Sequence, residues 1–177
     1  PNSIARIIAK ILVPDTEKVR NVSIYDPSAG SGTLLLALAH EIGEEDCTLY
    51  TQDISQKSNE FLRLNLILNN LVHSLDNVVH GNTLLNPAHL NKEGNKLAQF
   101  DYIVSNPPFK TDFSDYRDKL EDDKYSDRFF SGVPQIPANK KESMPIYLLF
   151  IQHILYSLKD SGKAAIVVPT GFLTGKS

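Results

Sequence analysis

The sequence predicts an α/β fold: a doubly wound, mostly parallel sheet covered by helices on both faces. Three observations predict it. Short apolar runs alternate with longer stretches of helical periodicity. Several of those runs are apolar throughout rather than at every second residue, the mark of strands buried on both faces. A glycine-bearing loop follows the first of them, at the position where such sheets bind ligands.

Each element has its own signal. Ile4, Ile7, Ile8, Ile11 and Leu12 fall at helical spacing, with Asn2 or Ser3 placed to cap and Pro14 to stop the helix. VSIYD (22–26) reads as a short buried strand. Thr33 to Ile42 is almost wholly apolar and predicts a helix enclosed on most sides, with Gly43 as its C-terminal cap. LYTQD (49–53) is the second strand. Ser55 caps a third helix whose stripe is Phe61, Leu64, Leu68 and Leu71, ending near Asn69-Asn70. NVVH (77–80) and FDYIVS (100–105) are strands three and four. Pro145 opens a helix over Ile146 to Leu158, for which Lys159 and Gly162 supply the stop. KAAIVVP (163–169) completes the sheet. Residues 81–99 show no helical pattern. Residues 110–141 form a second irregular stretch, and the charges between Asp115 and Lys124 read as a solvated loop.

At 177 residues and 41% apolar composition the chain predicts one domain with a real core. Eighteen basic side chains against 21 acidic ones leave a net charge of −3, which argues against strong nucleic-acid binding by this chain alone. Cys47 is the one cysteine, so an internal disulfide is excluded, as suits a reducing cytosol. No apolar run reaches the roughly 18 residues of a membrane span. Opening on Pro1-Asn2-Ser3 and ending on Gly175-Lys176-Ser177, the sequence is expected to be part of a longer chain.

Two stretches carry chemistry. The first is DPSAGSG (26–32), between the first strand and its helix. Leu35 occupies the third glycine slot of a dinucleotide fingerprint, and Thr33 follows Gly32 where a phosphate loop needs lysine. Asp26 also repels phosphate, so a ligand with a cationic or hydroxyl-rich part fits better. Asp53, closing strand two, can accept from both hydroxyls of a ribose. Gly171 to Ser177 imitates a phosphate loop, but three residues separate its glycines where four are required.

The second stretch is YIVSNPPFK (102–110). Adjacent prolines fix their own φ and donate no backbone hydrogen bond, so the fourth strand must end in a stiff corner. In strand order 3-2-1-4-5, that corner and DPSAGSG line one crevice.

DPSAGSG, an acidic end to strand two and SNPPF, in that chain order, resemble the N6-adenine DNA methyltransferases. The closest likeness is to modification (M) subunits of type I restriction–modification systems, over residues 1 to about 171. The resemblance implies a Rossmann-like, S-adenosylmethionine-dependent methyltransferase fold, with residues 1–177 as one catalytic domain; within it the irregular stretch 110–141 reads as an insertion or loop. Asn106 and Pro107 would accept hydrogen bonds from the adenine amino group, Pro108 would stiffen them, and Phe109 would stack on the flipped base. Cofactor binding would fall to Asp26, Pro27, Ser28, Gly30, Ser31 and Gly32, to Asp53 at the ribose, and to Asn82 and Thr83. Asn82 stands where the family usually has an aspartate facing the cofactor adenine. Pro1-Asn2-Ser3 resembles the tail of a further cofactor-contacting motif. No metal is needed. The resemblance also implies a cytoplasmic enzyme working on double-stranded DNA with a specificity subunit and a restriction subunit, away from membranes. Two other readings stay open: the same cofactor with an RNA base or a protein glutamine as acceptor, and a scaffold domain without turnover. The histidines (40, 73, 80, 89, 153) lack ligand spacing, and Tyr147, Phe150 and Tyr156 read as packing.

Overall fold

The computed structural model describes residues 2–14 and 18–174. The expectations placed on Pro1 and on Gly175-Lys176-Ser177 concern residues outside these.

Five parallel strands form one sheet in the order β3-β2-β1-β4-β5. They are β1 (Val22–Asp26), β2 (Cys47–Asp53), β3 (Val78–His80), β4 (Phe100–Ser105) and β5 (Leu158–Ile166). The chain runs outward from β1 to β3, then returns to place β4 beside β1, so the switch point lies between those two strands. Helices α1 (Asn2–Leu12), α2 (Thr33–Ile42) and α3 (Gln56–Leu68) precede the crossing, and α5 (Tyr147–Tyr156) follows it. Short α4 (Arg117–Glu121) lies in the insertion, and α6 (Gly171–Thr174) follows β5.

Side-chain alternation divides the core. Ile24 of β1 with Tyr102 and Val104 of β4 joins Leu12, Leu35, Leu62 and Leu66 on the α1–α3 face. Tyr25 and Ile103, one residue along, turn to the opposite face and meet Phe100 and Ile154 of α5.

Three expectations are corrected. Strand five begins at Leu158, not 163, so Lys159 and Gly162 belong to the strand, and α5 ends at Tyr156. Lys159 to Ser161 are exposed edge positions, where charged side chains are the rule, and the pairing of this strand with β4 shifts register between Phe100 and Tyr102 of β4. The apolar set of α1 is divided: Ile4, Ile7 and Ile11 are exposed, whereas Leu12 and, in part, Ile8 pack inward beside Ala5 and Ala9. In α3 the buried residues are Asn59, Leu62 and Leu66, and Phe61, Leu64 and Leu68 are exposed.

The insertion 110–141 is not a solvated loop. Phe113, Leu120, Phe129 and Val133 form a core with Leu84, Met144, Ile146 and Leu149. Asp118, Lys119, Glu121 and Asp122 lie exposed outside that core, whereas Arg117 and Arg128 are buried.

Candidate active site

β1 and β4 are neighbours, so their C-terminal ends present Asp26 and Ser105 side by side. The Ser28 and Ser105 hydroxyls meet at 2.8 Å, which ties the loop after β1 to the corner after β4. Above them lies a cavity of about 390 Å³, within the range of small-molecule sites.

Its walls come from five places. The loop after β1 gives Pro27 and Ser28, and the end of β2 gives Asp53 and Ile54. Gly81 to Leu84 follow β3, and Asn106 and Pro108 stand at the diproline corner. The insertion and the start of α5 add Thr111, Tyr116, Ile146 and Phe150. Among the described residues no lysine or arginine lines this space, so none of them offers a phosphate-bearing ligand a counter-charge here.

The loop after β1 turns through Gly30 (φ 53°) and Gly32 (φ 83°), left-handed backbone that glycine adopts without strain. At Gly32 packing adds a second demand: a methyl group there would stand 2.3 Å from Leu62 Cδ1. Gly32 therefore seats α2 against α3. Asp53 holds the loop from the other side, its Oδ2 accepting from the Gly30 N–H at 2.8 Å and its Oδ1 from the Ser55 N–H at 2.8 Å. Thr83 Oγ1 donates to the Pro27 carbonyl at 2.7 Å, joining the loops after β1 and β3.

Asp26 lies buried beneath this surface. Its Oδ1 accepts from the Ser28 N–H at 2.9 Å. Burial pushes its pKa up to about 7, with the Asp53 charge adding to the rise and the Ser28 hydrogen bond opposing it. Such a carboxyl ionises readily once a cation arrives beside it.

Asn82 is committed in an unforeseen way. Its Oδ1 accepts from the N–H groups of Leu84 (3.0 Å) and Leu85 (3.2 Å). Only an oxygen can take both bonds, so the amide orientation is fixed and the NH₂ is the donor that faces the Tyr116 hydroxyl.

Of the residues expected in the site, Pro27, Ser28, Asp53, Asn82, Thr83, Asn106 and Pro108 line the cavity. Asp26 and Pro107 are buried behind the lining. Gly30, Ser31 and Gly32 shape the loop outside it, and the Ser31 carbonyl accepts from Asn65. Phe109 is exposed, edge-on to Tyr147 at 6.5 Å between ring centroids. The Asn106 amide is exposed and takes no hydrogen-bond partner among the described residues. Sequence reasoning missed Ile54, Gly81 and Leu84, which adjoin expected residues, and Thr111, Tyr116 and Ile146, because no motif marks walls built by residues 110–141 and the approach to α5; Phe150, read as packing, both packs and lines. Among the described residues no cluster of side chains suits a metal ion, and no helix is long and apolar enough to cross a membrane.

Comparison with known proteins agrees with this geometry. The type I restriction enzyme MpnII methylase subunit of Mycoplasma pneumoniae is 31% identical over 180 residues, covering 98% of this chain and 31% of that protein. The HindI methylase subunit of Haemophilus influenzae is 24% identical, covering 100% of this chain and 36% of the relative. The chain thus spans about a third of the length of the curated relatives it matches. Among solved structures, the type I restriction–modification methyltransferase subunit from Streptococcus thermophilus superposes with a TM-score of 0.77 at 24% identity, over 98% of this chain and 35% of its own. A SAM-dependent O-methyltransferase from Thermotoga maritima superposes at 0.55 and 14% identity, over 97% of this chain and 46% of its own; both share the fold. The family model for N-6 DNA methylases matches residues 1–177, and the chain belongs to that family.

Proposed function

We propose that this chain is the catalytic domain of an adenine-specific DNA methyltransferase that uses S-adenosylmethionine. One observation supports it above the others: the Ser28–Ser105 contact brings the glycine-bearing loop and the diproline corner to one cavity. The family match supplies the reaction class.

The cavity fits the cofactor. Among the described residues its walls have the Asp53 carboxylate and several hydroxyls but no cationic side chain, with apolar surface from Ile54, Leu84, Ile146 and Phe150 for a purine. S-adenosylmethionine supplies an electrophilic methyl group on a sulfonium centre. Asp26, with Pro27 and Ser28, holds the cationic amino-acid end, while Gly30, Ser31 and Gly32 keep that loop in shape. Asp53 keeps lone pairs for ribose hydroxyls beyond those given to Gly30 and Ser55. Asn82 and Thr83 close the wall around the base.

On the substrate side, the Asn106 Oδ1 and the Pro107 carbonyl accept hydrogen bonds from the two hydrogens of the adenine N6 amino group. That group is a weak nucleophile because its lone pair is delocalised into the ring. Two fixed acceptors favour its pyramidal, nucleophilic form, and Pro107-Pro108 hold them in place so that little reorganisation is needed. Phe109 stacks on the adenine after it has left the duplex. Neither acceptor is a base, so the displaced proton leaves to water. We place this domain in the modification subunit of a cytoplasmic type I restriction–modification system. A specificity subunit then reads the target, a restriction subunit cleaves, and the acidic net charge here agrees with reading done elsewhere.

The test combines binding and transfer. The full-length protein should bind S-adenosylhomocysteine in a calorimeter, and with its specificity subunit should move a labelled methyl group to adenine N6 in duplex DNA. Binding without transfer to DNA, but with transfer to RNA or to protein glutamine, would reassign the acceptor. Absence of binding would overturn the reading.

A further inference from the structure

Arg128 is the largest fully buried side chain among the described residues, with 0% exposure. A guanidinium in such a place needs partners that offset its desolvation. Its two Nη groups find hydrogen-bond partners outside its own segment, while Nε has none among the described residues. Arg128 ends a single 3₁₀ turn, Ser126–Arg128, within the insertion. Its Nη1 donates to the Thr83 carbonyl at 3.2 Å, and its Nη2 donates to the Leu84 carbonyl. Both carbonyls belong to the loop after β3 that lines the cavity. Asp123 lies 3.5 Å from Nη2, and the Phe129 ring lies under the guanidinium at 4.5 Å.

A second branch reaches the end of β1 beneath the pocket. Nη1 also meets His153 Nδ1 at 3.1 Å. Arginine can only donate, so Nδ1 accepts and the neutral ring carries its proton on Nε2. That proton points at the Tyr25 hydroxyl oxygen, 3.0 Å away. Tyr25 immediately precedes Asp26, and its ring stacks on Phe100. One side chain therefore braces the loop after β3 and the end of β1.

Arg117 provides the contrast. It lies in the same insertion and is also buried. Its partners are the carbonyls of Val133 and Pro134 and the side chains of Asp118 and Glu121, all within the insertion. Arg117 holds the insertion together, whereas Arg128 fastens it to the pocket.

We propose that Arg128 is a positioning residue of the cofactor pocket, fixing Thr83 and Leu84 directly and the end of β1 through His153. The inference rests on the reading of this cavity as the S-adenosylmethionine site. It gives the insertion a part in binding, since Arg128 adds to the Thr83–Pro27 and Ser28–Ser105 ties a brace that reaches the pocket from residues 110–141.

Calorimetric titration of the full-length protein with S-adenosylhomocysteine tests this, using Arg128→Lys, Arg128→Met and Arg117→Met, each well below its own Tm. The Arg128 variants should raise Kd by about tenfold or more, while kcat at saturating cofactor falls much less. Arg117→Met should lower Tm by a similar amount yet keep Kd within about twofold. Wild-type affinity in Arg128→Lys and Arg128→Met, or an equal loss in Arg117→Met, would overturn the proposal. Hydrogen exchange on the wild type needs no variant: the ligand should slow exchange at residues 126–130 as well as 81–85, and unchanged exchange at 126–130 would also overturn it. A wild type that binds no ligand removes the functional reading and this inference together. A binding wild type with unaffected Arg128 variants removes this inference alone.

Discussion

Asn106 and Asn82 are the same residue type in two different states, and the difference decides what each can do. The Asn106 amide is exposed with both its functional groups uncommitted among the described residues. Replacing it with alanine should reduce methyl transfer by about 10²-fold or more, as loss of a transition-state acceptor does, and leave the Kd for S-adenosylhomocysteine unchanged. Turnover near wild type would reject its role. Asn82 has its oxygen bound to two backbone N–H groups, so it presents a donor where, under the proposed function, an adenine amino group would require an acceptor. In Asn82→Asp, one oxygen keeps the turn and the second becomes an ionised acceptor. Cofactor affinity should then rise by roughly threefold to tenfold in calorimetry, since charged acceptors make the stronger bonds. Affinity unchanged or weakened would show that this residue does not face the amino group. The sequence identified both positions, but not the orientation of the Asn82 amide, because the bonds that fix it come from backbone two and three residues on.

Elements show the same division between what local pattern specifies and what packing decides. β1, α2 and β4 begin and end where the sequence placed them, since each is bounded by glycine, proline or a strand-ending polar residue. The inward faces of α1 and α3 were not legible. Both helices carry apolar residues on more than one face, so periodicity offered two stripes and chose the bulkier. The fold buries the other, because α1 must lie close to α2, and small Ala5 and Ala9 permit that approach. Two leucines of α3 make this measurable. Leu66 is fully buried and Leu68 is 70% exposed. Leu66→Ala should cost about 2–5 kcal/mol in denaturant unfolding, and Leu68→Ala within about 0.5 kcal/mol. Equal costs would show that the outward face of α3 is covered in the isolated domain. The insertion was misread for a related reason: its charges are adjacent in sequence, while its core residues Phe113, Leu120, Phe129 and Val133 are spread across it and complete their cluster with residues outside it.

Across the whole molecule, the arrangement that prepares the pocket should lower the stability of the ligand-free protein. Asp26 is buried with a pKa pushed up to about 7, first by desolvation. Its unfolded value is near 3.8, so from about pH 4 to pH 7 the folded chain holds a proton that the unfolded chain has released. Stability from this group is complete below pH 4 and is lost as pH rises through 7. The buried rings of His153 and His89 act in the other direction. Burial lowers both pKa values below 6.5, so the unfolded chain takes up protons first and their contribution is lost as pH falls below that value. Asp26→Asn separates the two. An amide oxygen at that position can still accept from the Ser28 N–H, without a charge to bury. The variant should match wild-type Tm near pH 4 and exceed it increasingly toward pH 8. It should also lose most of the thermal shift that S-adenosylhomocysteine gives the wild type. In the wild type, cofactor affinity should increase as pH rises through 7, because a cation beside Asp26 favours the ionised form. If Asp26→Asn is no more stable than wild type at pH 8, the carboxyl is not held at this cost. If it still binds the ligand normally, the cost serves something other than the cofactor. Both shifts together would show that the burial which raises the Asp26 pKa is retained because the ligand's charge relieves it.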